Sequence, residues 1–260
     1  MDFFKRLLKA GHGARGVFPV LQRIRSVSFA MYAEDLLLSH MRPQDAGFYV
    51  DVGAFQPRVL SNTYKLYLKG WSGLTIEPNP SAVEMFRRAR PRDTHLTLGI
   101  AERESELTYY KFRDGAQNTF DAARAAELRA DQIGAVSVKC TPLNDVFEQH
   151  CRNRSVDLLN VDCEGRDLEV IHSLDWRQHR PTMLIVEDFE QFETGASPAP
   201  VSSAIRSFML GQDYAIASQA VFSFFYVDRH AFGRTDRNSG FRLDRSQLGL
   251  LGLGSREGVS

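Results

Sequence analysis

From residue 47 onward, short apolar runs alternate with segments whose apolar residues recur at helical spacing. Such runs, bounded by glycine, proline or polar clusters, predict strands, and the helical recurrence predicts helices. The predicted strands cover residues 48–52, 74–77, 94–98, 107–112, 136–140, 156–162 and 182–187, and the predicted helices begin near residues 61, 80, 143, 165 and 201. Two final runs, 214–217 and 221–227, are spaced like an antiparallel hairpin. This alternation predicts an α/β fold with a doubly wound, mostly parallel sheet and an antiparallel edge.

Glycine and proline mark the ends of two of these helices. Gly70 stands where a left-handed helix cap is expected. Asn79 followed by Pro80 is a typical N-cap and first-turn pair, and the helix that they begin should stop before Pro91.

Three segments depart from the regular pattern, which leaves residues 29–228 as the α/β domain. Residues 1–28 carry six Lys or Arg against one acid, and this basic arm either packs on the body or rests on an anionic membrane surface or a partner. Residues 114–134 are hydrophilic and Ala-rich, which predicts either a lid on the acceptor side or a variable surface insertion. Residues 229–260 form a tail rich in Gly, Arg and Ser, which is either poorly packed or docks on a second copy in a homo-oligomer.

Composition narrows the classes of partner and the location. The 260 residues include 32 Lys or Arg and 32 Asp or Glu, and this zero formal net charge gives no field that favours nucleic acid. The three cysteines form no CxxC pair, so they predict reduced thiols rather than disulfides or a zinc site. Apolar runs are far shorter than the roughly 20 residues that cross a bilayer, and the N-terminus lacks the apolar core of a signal peptide. We therefore expect a cytoplasmic protein that binds no nucleic acid.

Four predicted strands carry a carboxylate at or next to their carboxyl end: Asp51, Glu77, Asp162 and Glu187. A single acid in a loop is usually a helix cap or a solvated turn residue. In an open α/β sheet, however, ligands bind beyond the carboxyl ends of the strands, so four acids at equivalent positions predict a binding site.

An acidic edge of this kind repels phosphate, and the first turn lacks the GxGxxG pattern of dinucleotide-binding proteins. S-adenosylmethionine suits it better, because that cofactor carries a sulfonium, an ammonium and a ribose diol but no phosphate. Glu77 is placed to accept both ribose hydroxyls, and Asp51 with Gly53 brings the first turn against the methionine end. Ser61, Asn62 and Thr63 offer donors to the cofactor carboxylate, with plain N-capping as the alternative.

Four blocks of the sequence carry a resemblance to a known family. They are YAEDLLL (32–38), FYVDVGAFQPRVLSNTYKLYLKGWSGLTIEPNP (48–80), VDLLNVDCEGRDLEVI (156–171) and RPTMLIVE (180–187). Together they resemble the FkbM family of S-adenosylmethionine-dependent methyltransferases. The resemblance implies a class I, Rossmann-like sheet of seven strands, and O-methylation of hydroxyls on sugars of surface glycans or natural products. One departure is Ala33, which stands where the family usually has glycine.

The resemblance also implies roles for individual positions. The first cofactor-binding turn corresponds to Asp51, Gly53 and Ala54, and the ribose contact to Glu77 in one motif with Pro78 and Asn79. By the same correspondence, Gly99 and Ile100 flank the adenine, and Asp162 faces the reactive end of the cofactor.

Transfer of a methyl group to an alcohol requires alignment of the reactants and removal of a proton. The candidate bases are Asp162, Glu164, Glu187 and His172; we favour Asp162 or Glu164, since His172 lies on the following helix and more simply packs there. An alternative mechanism uses one Mg²⁺, which oxygen ligands would hold. Its candidate ligands are Asp162, Glu164, Glu187 and Asp188.

Two other functions stay open at this point. A nicotinamide-dependent oxidoreductase shares the sheet but requires the missing glycine fingerprint. A binding or scaffold protein that kept the fold and lost catalysis would use the basic arm or the tail to engage a partner.

Overall fold

The structure is a computed structural model that describes residues 27–41, 46–189 and 203–233. Most of the predicted basic arm 1–28, and the predicted tail from residue 234 onward, lie outside the described residues. Within the described part of the chain, no helix is long and apolar enough to cross a membrane. The strands are β1 (Phe48–Val52), β2 (Ser72–Ile76), β3 (Thr94–Leu96), β4 (Gly99–Ile100), β5 (Ser105–Phe112), β6 (Gln132–Thr141), β7 (Leu158–Val161), β8 (Met183–Glu187), β9 (Tyr214–Ala220) and β10 (Ser223–Asp228).

The helices are α1 (Glu34–Met41), α2 (Tyr64–Leu68), α3 (Pro80–Ala89), α4 (Ala122–Glu127), α5 (Leu143–His150), α6 (Asp167–His172) and α7 (Ala204–Gly211). Helix α3 begins as predicted, because the Asn79 side chain accepts a hydrogen bond from the Ser81 backbone N–H. Helix α2 begins three residues later than predicted and ends before Trp71. Gly70 has φ 107°, the left-handed conformation predicted for it.

Seven strands form one sheet in the order β3-β2-β1-β7-β8-β10-β9. All neighbouring pairs are parallel except those of β10, which runs antiparallel to β8 and β9. This confirms the predicted doubly wound sheet, including its antiparallel C-terminal hairpin. The carboxyl ends of β1, β2, β7 and β8 therefore meet at one edge, where ligands of such sheets bind.

A second sheet of three strands, in the order β4-β6-β5, was not predicted. The single strand predicted over 94–98 ends at Leu96, and Gly99–Ile100 pairs instead with β6. Apolar periodicity identifies a strand but not its partner, because pairing depends on contacts between residues far apart in the chain. Here β5 pairs antiparallel with β6 across the 114–134 excursion.

Two apolar layers cover the faces of the large sheet. One layer joins the strand residues Val50 and Leu159 to Phe147 of α5 and Met209 of α7. The other layer joins strand residues of the opposite face to α1 and α2, with Trp71 fully buried among them. Helices thus pack on both faces, and the edge formed by the carboxyl ends is left for the site.

A buried ion pair connects the strands behind that edge. Arg90 is fully buried, and its Nε donates to Asp93 at 2.8 Å. Its terminal nitrogen donates to the hydroxyls of Tyr49, at 2.5 Å, and Thr63, at 3.0 Å. Asp93 also accepts hydrogen bonds from Tyr49 and from the Gly73 backbone N–H. The ion pair therefore joins the end of α3 to β1, β2 and the start of α2.

Replacing Arg90 should be far more costly than replacing an exposed arginine of α3, the helix that it follows. We expect Arg90→Met to lower the free energy of unfolding by about 3 to 5 kcal/mol, because it leaves a buried Asp93 without its cation. Arg88→Met, which removes an exposed pair with Glu84, should lower it by less than about 1 kcal/mol. Urea denaturation of both variants measures the difference; equal losses would contradict this account of the ion pair.

Candidate functional site

A pocket opens at the edge where β1, β2, β7 and β8 end. Its empty volume is about 1030 Å³, including the part open to solvent. The structure brings together in its lining the predicted residues Gly53, Asn62, Glu77, Pro78, Gly99, Ile100, Asp162, Glu164 and Glu187. It places the other predicted residues outside the lining: Asp51, Ala54, Ser61, Thr63, Asn79 and Asp188.

Gly53 forms the turn after β1 and adopts φ 77°, which favours glycine. A Cβ atom built on Gly53 would lie 1.7 Å from the backbone oxygen of Asp162. The backbone N–H groups of Gly53 and Ala54 both donate to the Ile76 oxygen of β2. The glycine thus lets the ends of β1, β2 and β7 close tightly under the pocket, while Ala54 is buried beside them.

Glu77, directly after β2, is held by donors on both carboxyl oxygens. Its Oε2 accepts from the Phe55 backbone N–H at 3.0 Å, and its Oε1 accepts from the Asn79 backbone N–H at 2.8 Å. The Tyr109 hydroxyl also interacts with this carboxyl group and lowers its pKa. Burial raises the pKa of Glu77 to about 7, and these hydrogen bonds oppose the rise. The side chain is therefore fixed in orientation, with lone pairs left for a ligand.

An aromatic wall stands next to Glu77 in the pocket. The Tyr109 and Phe120 rings lie 4.7 Å apart, centroid to centroid, and Phe120 also lines the pocket. A Cβ atom on Gly99 would meet the Phe120 ring at 2.7 Å, so glycine is needed for this close packing. Gly99, Ile100 and Pro78 complete the wall with backbone and apolar surface suited to a flat ring.

The SNT residues mostly face away from the pocket. The Ser61 hydroxyl accepts from the Tyr64 backbone N–H, as a cap does, and Thr63 is fully buried and donates to Asp51. Asp51 is itself 2% exposed and also accepts from Asn160 of β7 at 2.9 Å. Of the three SNT residues, Asn62 alone lines the pocket, and its amide nitrogen donates to Asn160 at 3.0 Å.

Three carboxyls cluster at the ends of β7 and β8. Ligand atoms of Asp162, Glu164 and Glu187 lie within 4.8 Å of one another, close enough to hold a metal ion. Burial and neighbouring carboxyls, Asp167 first among them, raise the pKa of Asp162, and burial and Asp162 raise the pKa of Glu187; the interaction between the two side chains lowers the pKa of Asp162 and raises that of Glu187. Asp188, the fourth predicted metal ligand, is not in this group and accepts a hydrogen bond from the Ser203 hydroxyl instead.

The 114–134 excursion reaches this carboxyl cluster. Arg124 of α4 donates to Glu164 at 3.2 Å, and the Thr119 hydroxyl donates to the Glu164 backbone oxygen at 3.3 Å. Asn118, Thr119 and Phe120 all line the pocket. The excursion is therefore a wall of the site. His172, by contrast, packs its ring against Phe208 at 4.4 Å, as expected for a helix-packing histidine.

The comparison with protein families agrees with this geometry. The model of the methyltransferase FkbM domain matches residues 51–216, which is more than half of the chain. The chain belongs to the FkbM methyltransferase family. This confirms the family that the motifs predicted, together with the class I sheet and the S-adenosylmethionine cofactor that go with it.

More distant similarities extend to solved structures. One is the O-methyltransferase from Bacillus cereus in complex with SAH, at 12% identity over 82% of this chain and 90% of that chain, with a TM-score of 0.42. Another is a "putative O-methyltransferase" from Klebsiella pneumoniae, at 14% identity over 86% of this chain and 95% of that chain, with a TM-score of 0.39. At this level of similarity neither structure bears on the chemistry of the site. No curated protein is a significant match.

Strained backbone surrounds the pocket of this FkbM methyltransferase. Phe55, Leu60 and Glu164 line the pocket with φ between 50° and 53°, a conformation that is costly for residues other than glycine. Ala33, between the pocket residues Tyr32 and Glu34, has φ 67°. Alanine thus stands in place of the usual glycine of the FkbM motif, and its backbone has the left-handed conformation that favours glycine.

Two residues of the site, Asn160 and Tyr109, were not singled out from the sequence. Asn160 stands inside an apolar strand, and Tyr109 lies on β5, far from the motif blocks. An asparagine within an otherwise apolar strand is the one signal that was available for Asn160, since a buried amide needs partners. Nothing in the sequence linked Tyr109 to Glu77.

The raised pKa of Glu187 predicts that the free energy of unfolding falls as pH rises. Because the folded-state pKa of Glu187 is raised, its contribution to stability is complete below the unfolded-state pKa and declines as pH rises above it. At about pH 8 we expect Glu187→Gln to raise the free energy of unfolding by about 1 to 2 kcal/mol, and near pH 4 to leave it nearly unchanged. The control, Glu84→Gln on an exposed side chain, should have little effect at either pH. Urea denaturation at both pH values tests this, and a Glu187 variant that is less stable at the higher pH contradicts it.

Proposed function

We propose that this protein transfers a methyl group from S-adenosylmethionine to a hydroxyl of a sugar, in a surface glycan or a glycosylated natural product. The observation that carries the proposal is the composition of the pocket lining, which is rich in carboxyl groups and poor in cations. Among its described lining residues, Arg166 is the only Lys or Arg, whereas the carboxyls are Glu34, Glu77, Asp162, Glu164 and Glu187. A pocket of this kind suits a cationic, phosphate-free ligand.

The residues present fit the cofactor. Glu77 has a fixed orientation and would accept the ribose hydroxyls, and the aromatic wall with Gly99 and Ile100 would hold the adenine. The turn at Gly53 has no side chain that would fill the space next to Asp162. When bound, S-adenosylmethionine supplies an electrophilic methyl group on a sulfonium.

The carboxyl cluster supplies the proton acceptor. The interaction between the two side chains of Asp162 and Glu187 lowers the pKa of Asp162 and raises that of Glu187, so Asp162 is the carboxyl of the pair that ionises more readily and accepts the proton of an acceptor hydroxyl. Glu164 is bound to Arg124, and this ion pair lowers its pKa, although burial still leaves it at about 7. Asp162 is therefore the favoured base, and Glu187, whose pKa is raised, keeps its proton.

Features of the pocket mouth support a sugar acceptor. Met31, Tyr32 and Leu60 line it with exposed apolar surface, and the Tyr32 ring rests edge-on against Phe222, with centroids 5.8 Å apart. Sugar rings present C–H faces to such side chains and hydroxyls to carboxylates. We also propose the cytoplasm as the location, which the free thiols of Cys140, Cys151 and Cys163 support.

Cofactor binding tests the proposal directly. Isothermal titration calorimetry of the wild-type protein with S-adenosylhomocysteine should show binding. Glu77→Gln should weaken it about tenfold or more, which is about 1.4 kcal/mol, because one oriented acceptor oxygen is lost. The matched control Glu84→Gln, on the exposed face of α3, should bind like wild type. Absence of binding to the wild-type protein would exclude the proposed function, and binding of NADH instead would favour the oxidoreductase.

Turnover tests the role of Asp162. With radiolabelled S-adenosylmethionine and a panel of glycosides, wild-type protein should yield a methylated product. Asp162→Asn should lower kcat about 100-fold or more while cofactor affinity changes little, because the variant retains the shape but not the basic oxygen. Retained kcat in the variant would remove Asp162 from this role. Cofactor binding without product from any member of the panel would favour the binding-protein alternative, and loss of activity with EDTA that Mg²⁺ restores would favour the metal mechanism.

A further inference from the structure

A relay of two amides connects the buried Asp51 to the pocket. The Asn160 amide nitrogen donates to Asp51 Oδ1 at 2.9 Å, and the Asn160 amide oxygen accepts from the Asn62 amide nitrogen at 3.0 Å. Asp51 and Asn160 are 2% and 3% exposed, so water does not compete with these bonds. Asn62, at the outer end of the relay, lines the pocket.

The polarity of this relay is set at its buried end. Thr63 accepts a hydrogen bond from the Arg90 guanidinium, so its own hydroxyl proton goes to Asp51. Both Asp51 oxygens therefore act as acceptors, and Asn160 must turn its nitrogen toward them. With its nitrogen so engaged, Asn160 presents its oxygen to Asn62.

The consequence reaches the pocket through Asn62. Its amide nitrogen is committed to Asn160, and its oxygen makes no hydrogen bond within the described part of the chain. The wall of the pocket at Asn62 therefore presents a hydrogen-bond acceptor, the amide oxygen, to a ligand. A ligand group that contacts Asn62 from the pocket therefore has to donate a hydrogen bond.

We propose that Asn62, oriented by Asn160 and Asp51, accepts a hydrogen bond from the ammonium group of the methionine moiety of the cofactor. This inference rests on the proposed cofactor. It assigns Asn62 to the ammonium rather than to the carboxylate, and it makes Asn160 a positioning residue that acts through Asn62. An ammonium is the one group of that moiety that only donates hydrogen bonds.

Three ligands separate the groups of the methionine moiety. S-adenosylhomocysteine has both the ammonium and the carboxylate, decarboxylated S-adenosylhomocysteine keeps only the ammonium, and methylthioadenosine has neither. Their dissociation constants are measured by calorimetry for the wild-type protein, Asn160→Leu and Asn62→Ala. Asn153→Leu, at an exposed turn position, serves as the control.

We expect both relay variants to weaken the two ammonium-bearing ligands about tenfold and to leave methylthioadenosine within about twofold. The control should bind all three ligands as wild type does. Asn62→Ala keeps the test informative if Asn160→Leu fails to fold, because Asn62 lies at the pocket rather than in the core.

Several results would overturn the inference. Equal weakening of all three ligands would show a merely structural role, and weakening of S-adenosylhomocysteine alone would assign Asn62 to the carboxylate. Unchanged affinities in both variants would exclude any contact with the methionine moiety. A wild-type protein that binds none of the ligands would overturn the proposed function itself, and that failure is distinguishable because it appears before any substitution is made.

Discussion

The buried carboxylate of Asp51 is the constraint on which the rest of this structure depends. It lies in β1, an interior strand with parallel neighbours on both sides, where desolvation raises its pKa and every oxygen needs a donor. Thr63 and Asn160 supply those donors, and Thr63 is in turn held by Arg90. The Asp51 carboxylate thus holds the start of α2 through Thr63, and through Asn160 it orients the Asn62 amide that lines the pocket.

The pocket concentrates features that a stable fold would avoid. Carboxyls repel one another at the ends of β7 and β8, and several non-glycine residues around the opening hold left-handed backbone. Both cost stability, and both are typical of sites where chemistry rather than packing selects the residue. The ion pair of Arg90 and Asp93 and the two apolar layers provide the rigid support in which such strain persists.

Much of the fold was predictable because it follows from local patterns. The apolar run Phe48–Val52 and the Asn79-Pro80 pair each specified an element correctly, since burial of one strand or capping of one helix involves only near neighbours. The second sheet was not predictable. Its strands β4 and β6 join Gly99 to Cys140, and no periodicity records a pairing between residues so far apart.

The residues of the site can be separated in the same way, into features that the sequence predicted and features that depend on the tertiary structure. The sequence by itself determined the family and placed acids after the strands, because the order of motifs and the ends of strands are properties of the chain. Only the tertiary structure decided which of these acids face the pocket: Asp51 turns inward to Thr63 and Asn160, whereas Glu77 and Asp162 line the pocket. The physical reason is that a buried carboxylate needs hydrogen-bond donors. Those donors belong to other strands and helices, and only folding brings them within hydrogen-bonding distance.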